Sequence, residues 1–286
     1  MEAGDLHLCI DYVSSGGIVL TSEQKAALQT ALVILQNENR FYRVYFWGRI
    51  VGVKEDYYIV QGVYKDEFAG RKSFYSKDCI HWGLLPIATA KMKGNAKLAK
   101  GYFTGDPSYE TEHVELKITG EGQNATEEEE VTVVKEEDRL ASVVAEIDDD
   151  VRIVPRGAFV QVPTAEVVKN RSFEGLSVQE AAKMCNYMHF REAKRLNLRT
   201  LLQRANMDKA IDFMDSIEDD VPRGSWNIQF ERGSGLLIMR SLQWPGYVFY
   251  HVPATRKYGS VYFGTGEKNM DLPFMLIEAE RLSELN

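Results

Sequence analysis

The chain has 286 residues, of which 44% are hydrophobic and 11% aromatic, so it can bury a core in one large domain or two small ones. Its formal net charge of −8 argues against general affinity for nucleic acid or anionic membrane, because basic surface supplies most of that attraction. The three cysteines have no paired spacing, which indicates a reducing compartment. There is no basic N-terminal region and no apolar run of about 18 residues, so we expect a protein that is neither secreted nor membrane-spanning.

Two helices are predicted first. Leu6, Ile10 and Val13 recur at helical spacing in a short opening segment. Thr21 and Gln24 then form a capping box that begins a longer helix. Its apolar stripe should pack on the hairpin that follows, and consists of Ala27, Leu28, Ala31, Leu32, Ile34 and Leu35.

A β-hairpin is the best-specified element. Residues 42–51 and 57–63 are rich in β-branched and aromatic side chains, which fit a pleated, half-buried surface, and a polar link at 54–56 joins them. Glycines at 48, 52 and 62 indicate bulges or close backbone contacts. We expect the rest of the chain to pack around this hairpin.

Further strands extend the hairpin into an antiparallel meander. Residues 72–75 and 79–85 are predicted as strands separated by a turn, and residues 87–98 as a helix. Residues 104–110 are predicted to form a turn or an exposed binding loop. Polar and apolar side chains alternate at 112–118, as they would in a half-buried strand.

The negative charge is concentrated in residues 121–150, which carry twelve carboxylates against two cations, so the remainder is close to +2. Residues 120–130 alone are typical of a mobile surface excursion. Apolar spacing returns at 131–134 and from Leu140, so we favour a flexible loop leading into a strand and then an acid-faced helix. Residues 148–150 lack the spaced acids of a calcium loop.

The second half of the chain gives a different pattern. Two short strands flank residues 155–157, and a capping box at Ser177 and Glu180 predicts a helix of three turns that includes Met188. Residues 207–217 are predicted as a helix or 3₁₀ segment. Three β-rich runs from Ser225 onward and a fourth at 261–263 predict a second antiparallel meander.

Together these elements predict the α+β class, with antiparallel sheet meanders packed with a few amphipathic helices and an acidic surface excursion in mid-chain. We expect a single domain over residues 1–286. Possible halves are 1–119 and 139–276, around a flexible acidic segment at 120–138 and with a tail at 277–286.

No motif for catalysis, a cofactor or a metal stands out. Residues 259–265 have the glycine spacing of a phosphate loop, but Thr265 stands where the phosphate-binding lysine is needed. Cys79 and His81 would share one face of a strand, yet the five histidines are dispersed and give no convincing set of four zinc ligands. We therefore expect no catalytic residues, no cofactor and no metal, and favour a binding module or assembly subunit.

Several long blocks, in order along the chain, are similar to one known family. They are FWGRIVGVKEDYYIVQG (46–62), KGYFTGDPSYETEH (100–113), FEGLS (173–177), DFMDSIEDDVPRGSW (212–226) and YGSVYFGTGEKNMDLPFML (258–276), and they closely resemble the radial spoke head protein 9 family. The first block also resembles the W-G-K-I pattern of the paralogous spoke head proteins 4 and 6, with Arg49 where lysine is usual there.

The resemblance implies a non-enzymatic structural subunit of the radial spoke head in motile cilia and flagella. Such a subunit would support head assembly and mechanical signalling from the central pair to dynein, in the cytoplasm as part of the axonemal cytoskeleton. Its implied partners are spoke head proteins of the 4/6 type, other head subunits and, as a further option, central-pair projections, with no nucleic acid and no membrane. The alternatives are a nucleotide-binding enzyme using residues 259–268 and a cytosolic adaptor unrelated to cilia.

Three expectations about surfaces follow. The segment after the last strand is rich in Phe and Met and should dock on a neighbouring subunit through Gly264, Lys268, Asn269, Met270, Leu272, Phe274, Met275 and Leu276. The exposed edge of the hairpin at 41–63 is a second candidate interface. The acidic segment should face solvent and tune repulsion or central-pair contact.

Overall fold

The computed structural model describes residues 1–17, 19–119, 126–195 and 198–275, with the backbone alone described at 15–16, 115–119 and 126–130. The structure combines mostly antiparallel β-sheet with several helices, which confirms the predicted α+β class. The helices are α1 (Leu6–Cys9), α2 (Ser22–Glu38), α3 (Ala90–Ala96), α4 (Glu136–Val151), α5 (Val178–Ala181) and α6 (Leu201–Ala205). The strands are β1 (Arg43–Ile50), β2 (Tyr57–Val63), β3 (Lys72–Ser76), β4 (Gly83–Leu84), β5 (Glu110–Thr119), β6 (Thr126–Lys135), β7 (Ile153–Pro155), β8 (Phe159–Gln161), β9 (Val167–Lys169), β10 (Tyr187–His189), β11 (Trp226–Glu231), β12 (Leu236–Ser241), β13 (Tyr247–His251) and β14 (Tyr258–Gly264).

One eight-stranded sheet dominates the structure, in the order β11-β12-β13-β14-β1-β2-β3-β4. The two predicted meanders are therefore confirmed, and each keeps its strands in sequence order. The sequence did not indicate that they join. They meet where β14 pairs with β1 in parallel, with Gly48 opposite Tyr262. Strands from both ends of the chain thus share one sheet.

Glycine permits the contact between the two meanders. Gly48 lies at a register shift in the β1–β2 pairing, which confirms the bulge predicted there. Its φ is 147°, and a Cβ at this position would lie 2.0 Å from the Tyr262 carbonyl oxygen. Only a residue without a side chain can bring the two strands this close.

The central strands of the sheet are buried on both faces, more deeply than the half-buried hairpin that the sequence predicts. Val60 of β2 and Phe263 of β14 pack with the buried leucines of α2. Ile59 and Tyr262, their neighbours in sequence, pack on the opposite face with α4. Successive strand side chains point to opposite faces, so each central strand contributes to both apolar layers. The predicted packing of α2 on the hairpin is confirmed.

Helix α2 begins with the predicted capping box, in which Thr21 and Gln24 exchange side-chain and backbone hydrogen bonds. Leu28, Leu32 and Leu35 are buried, as predicted from their spacing. Ile34 is 50% exposed, so its assignment to the buried stripe was wrong.

The first residue is part of the core. The Met1 amine donates hydrogen bonds to the backbone carbonyls of Phe46, at 2.8 Å, and of Ser260, at 3.1 Å. These acceptors lie in β1 and β14. The amine therefore bridges the junction of the two meanders, and its burial lowers its pKa to about 5.

Residues 79–82 form a turn, not the predicted strand. The Asp78 carboxylate accepts the backbone N–H groups of Ile80 and His81, and Cys79 has a φ of 64°. This side-chain acceptor competes with strand pairing and leaves only β4 as a strand. Cys79 and His81 consequently do not share a strand face.

The helix after Ser177 is one turn long, so the predicted three turns were wrong. Ser177 accepts the Glu180 N–H as expected. The Glu180 carboxylate, however, accepts from Asn186 and Lys183 instead of completing the capping box. Met188 lies in β10, which pairs with β7.

Residues 207–216 are turns and not the predicted helix, and the 3₁₀ segment comes later, at Ile217–Asp219. Two buried carboxylates organise this stretch. Asp212 receives two hydrogen bonds from the Arg156 guanidinium, at 2.6 and 2.8 Å. Asp215 accepts the backbone N–H of Lys194 at 2.7 Å. Asp212 donates its backbone N–H to Asp208, one helical bond, but these long-range contacts of the two carboxylates favour turns over a continued helix.

Strand β6 begins at Thr126, earlier than the predicted residue 131, and pairs with β5 along its length. The predicted strand at 112–118 is confirmed within β5, although Val114 is 52% exposed. The acid-faced helix is confirmed as α4. Residues 120–125, which hold the start of the predicted excursion, lie outside the described residues. Across the described ranges, no helix is both long and apolar enough to span a membrane.

Candidate interaction surface

The predicted docking segment follows β14 directly, and several of its residues hold it in place. The Lys268 ammonium lies 2.7 Å from the Asp150 carboxylate and sits over the Trp244 ring. Asn269 donates from its backbone to Gln243 at 2.8 Å and from its side chain to Leu242 at 3.2 Å. The segment is therefore anchored to the end of β12 and to α4.

Two other predicted residues also have structural roles. Gly264 ends β14, and a Cβ there would lie 2.5 Å from the Pro245 carbonyl oxygen. Leu272 is only 3% exposed and begins a helical turn at residues 272–275. Both residues are packed into the fold, so they position the segment and expose little surface of their own.

Three predicted residues are exposed together near the end of the segment. Met270 is 71% exposed, Phe274 73% and Met275 60%. We refer to these three residues as the C-terminal apolar patch. Leu276, the eighth predicted residue, lies outside the described residues. Single exposed apolar side chains are common on protein surfaces, whereas larger apolar patches mark interaction sites.

An open groove of about 770 Å³ continues from the patch. Its lining includes Leu272 and Met275 together with residues of the sheet and of the first helical segment, among them Val13, Leu242, Val248 and Phe263. Leu242 is itself 40% exposed. The apolar surface available to a partner is therefore larger than the three side chains of the patch.

The hairpin edge is not available as an interface, so that second candidate was wrong. Strand β1 pairs with β14 on one side and β2 on the other. Strand β2 pairs with β1 and β3. Both strands are interior to the central sheet, whose outermost described strands are β11 and β4.

The glycine-rich run at 259–265 does not form a phosphate loop. Most of it lies in β14, which pairs with β13 and β1. Gly259 is needed because a Cβ would lie 2.9 Å from the Tyr250 ring. Gly266 then donates its N–H to the Tyr262 hydroxyl at 2.9 Å, which closes a turn. The amides that a nucleotide phosphate would need are used inside the fold.

The buried histidines have partners within the protein. His189 contacts the Asp220 carboxylate at 2.8 Å. His251 accepts the Leu176 N–H at one ring nitrogen and faces the Lys257 carbonyl at the other, and desolvation lowers its pKa. Within the described parts of the chain, no three His, Cys, Asp or Glu side chains cluster as metal ligands.

The acidic residues of α4 include structural acceptors that sequence reasoning missed. Glu136 is buried and accepts hydrogen bonds from the Tyr57 hydroxyl at 2.7 Å and from the backbone of Thr104 and Gly105. Burial and this bond raise the pKa of Tyr57. The predicted binding loop at 104–110 thus begins inside the fold. The donors to the carboxylates of α4, which include tryptophan N–H groups, lie far away in sequence. No local pattern could therefore indicate these roles.

Comparison with known proteins places this fold in a family. The profile of the radial spokehead-like protein family matches residues 2–155. Radial spoke head protein 9 homologues from human, cow and zebrafish are 51%, 50% and 48% identical to the chain, each over 96% of it and 100% of their own length. The chain belongs to the radial spokehead-like family. This confirms the family resemblance, and with it an axonemal, cytoskeletal location in cilia or flagella.

The family assignment also makes the chain a component of the radial spoke head. The match to the human homologue covers 96% of the chain and therefore includes strands of both meanders of the central sheet.

Proposed function

We propose that the chain is a non-catalytic assembly subunit of the radial spoke head and that the C-terminal apolar patch docks on another head subunit. The observation that carries this proposal is the contrast within one short segment. Lys268, Asn269 and Leu272 fix the segment to the body, while Met270 and Phe274 project into solvent. A surface held in its binding conformation loses little conformational entropy on association.

A spoke head protein of the 4/6 type is the proposed partner at this patch. Methionine and phenylalanine are enriched at protein interfaces, and the flexible thioether lets methionine fit an irregular partner surface. The adjoining groove would receive apolar side chains of that partner. A sheet whose central strands are buried on both faces is also a stiff body, suited to passing force from the central pair toward dynein.

Paired substitutions test the patch. Phe274→Asp with Met275→Asp should abolish co-purification with a co-expressed 4/6-type protein while leaving the melting temperature unchanged, because both side chains are already in water. The matched control is Val53→Asp with Ile87→Asp, at side chains 73% and 85% exposed outside the segment. Undiminished binding by the patch variant, or equal loss in the control, would contradict the proposal.

Contact between the acidic strand and central-pair projections is a second proposal. Strand β6 carries Glu127–Glu130 along a two-stranded sheet that is separate from the central sheet. Replacing these four residues by glutamine should alter beating or its salt sensitivity without lowering the melting temperature. A large loss of stability would show a structural role instead.

The rival function, nucleotide binding by residues 259–268, has little support from the geometry, since β14 uses most of that run for sheet pairing. Calorimetry with ATP, GTP and NAD provides the test. We expect no saturable heat, and a saturable micromolar signal would revive the enzyme hypothesis. Axonemal family membership likewise disfavours a cytosolic adaptor.

A further inference from the structure

A second surface, distant in sequence from the C-terminal apolar patch, differs from it in chemistry. It is an open cleft of about 800 Å³ between the start of β1, the β8–β9 hairpin and the turn before β14. Its charged lining consists of Arg43, Lys65, Glu166, Lys169, Arg171 and Arg256. We refer to it as the basic cleft. Five cations against one carboxylate are unusual in a chain whose net charge is −8.

Three of the five cations are neutralised locally. Arg43 pairs with the buried Glu67 carboxylate at 2.7 Å. Lys65 pairs with Glu166 at 2.9 Å, and Lys169 with Glu2 at 2.5 Å. These ion pairs hold the walls of the cleft together, since each joins separate segments of the chain.

Arg171 and Arg256 are different. Both are exposed, and neither forms an ion pair or side-chain hydrogen bond with any residue that the structure describes. They follow β9 and precede β14, respectively, so they stand on two separate elements. Two guanidinium groups therefore remain available to a ligand after the local ion pairs have been counted.

The rest of the lining is partly apolar. Tyr42 is 52% exposed, with the Arg43 guanidinium 4.8 Å from its ring centre. Phe173, Val162 and Val168 also contribute. The Tyr258 hydroxyl, at the inner wall, is buried and has no hydrogen-bond partner among the described residues. A ligand with both carboxylates and apolar stems would match this surface.

We propose that the basic cleft binds an acidic peptide segment of a partner protein. Separate cations on different elements suit carboxylates spaced along an extended chain. A nucleotide phosphate is less well matched, because no glycine lines the cleft and three cations already have carboxylate partners. An anionic bilayer is also less well matched, since it needs basic groups that project from a convex or flat surface.

The test uses the full chain and a fluorescein-labelled peptide of ten glutamates, followed by fluorescence anisotropy at low and high salt. We expect saturable binding that weakens at high salt. Arg171→Glu with Arg256→Glu should weaken it by at least about tenfold, because two exposed attractive charge pairs are replaced by like-charge pairs. A peptide of ten lysines should not bind the unmodified protein at this cleft.

The matched control is Arg223→Glu with Arg232→Glu. Both side chains are exposed and outside the cleft, and the change in net charge is the same. This variant should bind the glutamate peptide nearly as the unmodified protein does. Equal weakening in both variants would overturn the proposal, because it would show an effect of overall charge only.

Two further results would also overturn it. One is tighter binding to phosphatidylserine vesicles than to the peptide, lost in the cleft variant, which would indicate a membrane ligand. The other is absence of peptide binding by a protein whose melting temperature shows it to be folded. The Phe274→Asp, Met275→Asp variant should retain peptide binding, so failure here is distinguishable from failure of the proposed docking patch.

Discussion

The Trp47 indole donates a hydrogen bond to the Asp148 carboxylate over 2.9 Å, although 101 residues separate them in sequence. The second oxygen of the same carboxylate accepts from the Gln61 side chain at 2.5 Å. Asp148 thereby joins β1 and β2, the two strands of the hairpin, to the end of α4. Desolvation raises its pKa, opposed mainly by Arg71. The most acidic part of the sequence is thus bonded into the core.

Replacing Asp148 by Asn should destabilise the protein. An amide can still accept from Trp47, but its NH₂ group would face the Gln61 NH₂, and turning Gln61 over would break its bond to Arg152. The loss of one buried hydrogen-bond partner predicts a decrease of about 1–3 kcal/mol in the free energy of unfolding. Urea denaturation measures it.

Asp149 provides the control for that experiment. Its side chain is 40% exposed and pairs with Lys194 at the surface. Asp149→Asn should cost less than about 1 kcal/mol, because exposed ion pairs contribute little. Similar losses at both positions would indicate that the charge of the helix end matters more than the buried bonds of Asp148.

Local patterns account for the elements that could be predicted. The capping box and leucine spacing define α2, and β-rich runs separated by glycine and proline define both meanders. These signals depend on residues close together in sequence. The pairing of Gly48 with Tyr262 depends on residues more than 200 positions apart. No local pattern encodes such a pairing, so the single sheet could not be predicted.

The same distinction explains the outcome at the candidate surface. Composition correctly indicated that the segment after β14 contains exposed apolar side chains. It could not separate Leu272, which is buried, from Phe274, which is exposed, because the strands beside Leu272 are distant from it in sequence. The basic cleft escaped prediction for this reason as well: Arg171 and Arg256 meet only in the folded chain.

Gly48→Ala should disrupt the junction of the two meanders. The new Cβ would lie 2.0 Å from the Tyr262 carbonyl oxygen, and the φ of 147° is unfavourable for alanine. We expect a loss of more than about 3 kcal/mol or failure to accumulate as soluble protein. Gly94→Ala in α3 has open space around it and should stabilise by about 0.5–1 kcal/mol. Thermal melts of both variants make the comparison.

Residues 1–119 should not fold alone. That fragment keeps β1 to β4 but lacks β14, which pairs with β1, and the buried side chains of β12 to β14 on both faces. We expect no cooperative unfolding transition for the isolated fragment, and recovery of one when residues 126–286 are co-expressed. A cooperative transition for residues 1–119 alone would favour two independent halves.

The Met1 amine should make stability depend on pH. Its pKa is about 5 in the folded protein against 8.0 as a free amine, because burial between β1 and β14 disfavours the charged form. Between these values the unfolded chain binds the proton and the folded chain does not, so stability should rise as pH increases from about 5 to about 8. Urea midpoints measured across that range test the direction.

A protein with an Nα-acetylated Met1 separates this effect from other titrations. The acetylated nitrogen cannot bind a proton, so the rise in stability between pH 5 and 8 should become smaller. Buried His251, whose pKa is also lowered, contributes in the same direction and should remain in both proteins. The acetylated nitrogen keeps one N–H and can donate to only one of the Phe46 and Ser260 carbonyls, so its stability above pH 8 should be lower. Identical slopes would show that the amine is solvated and does not bridge the two strands.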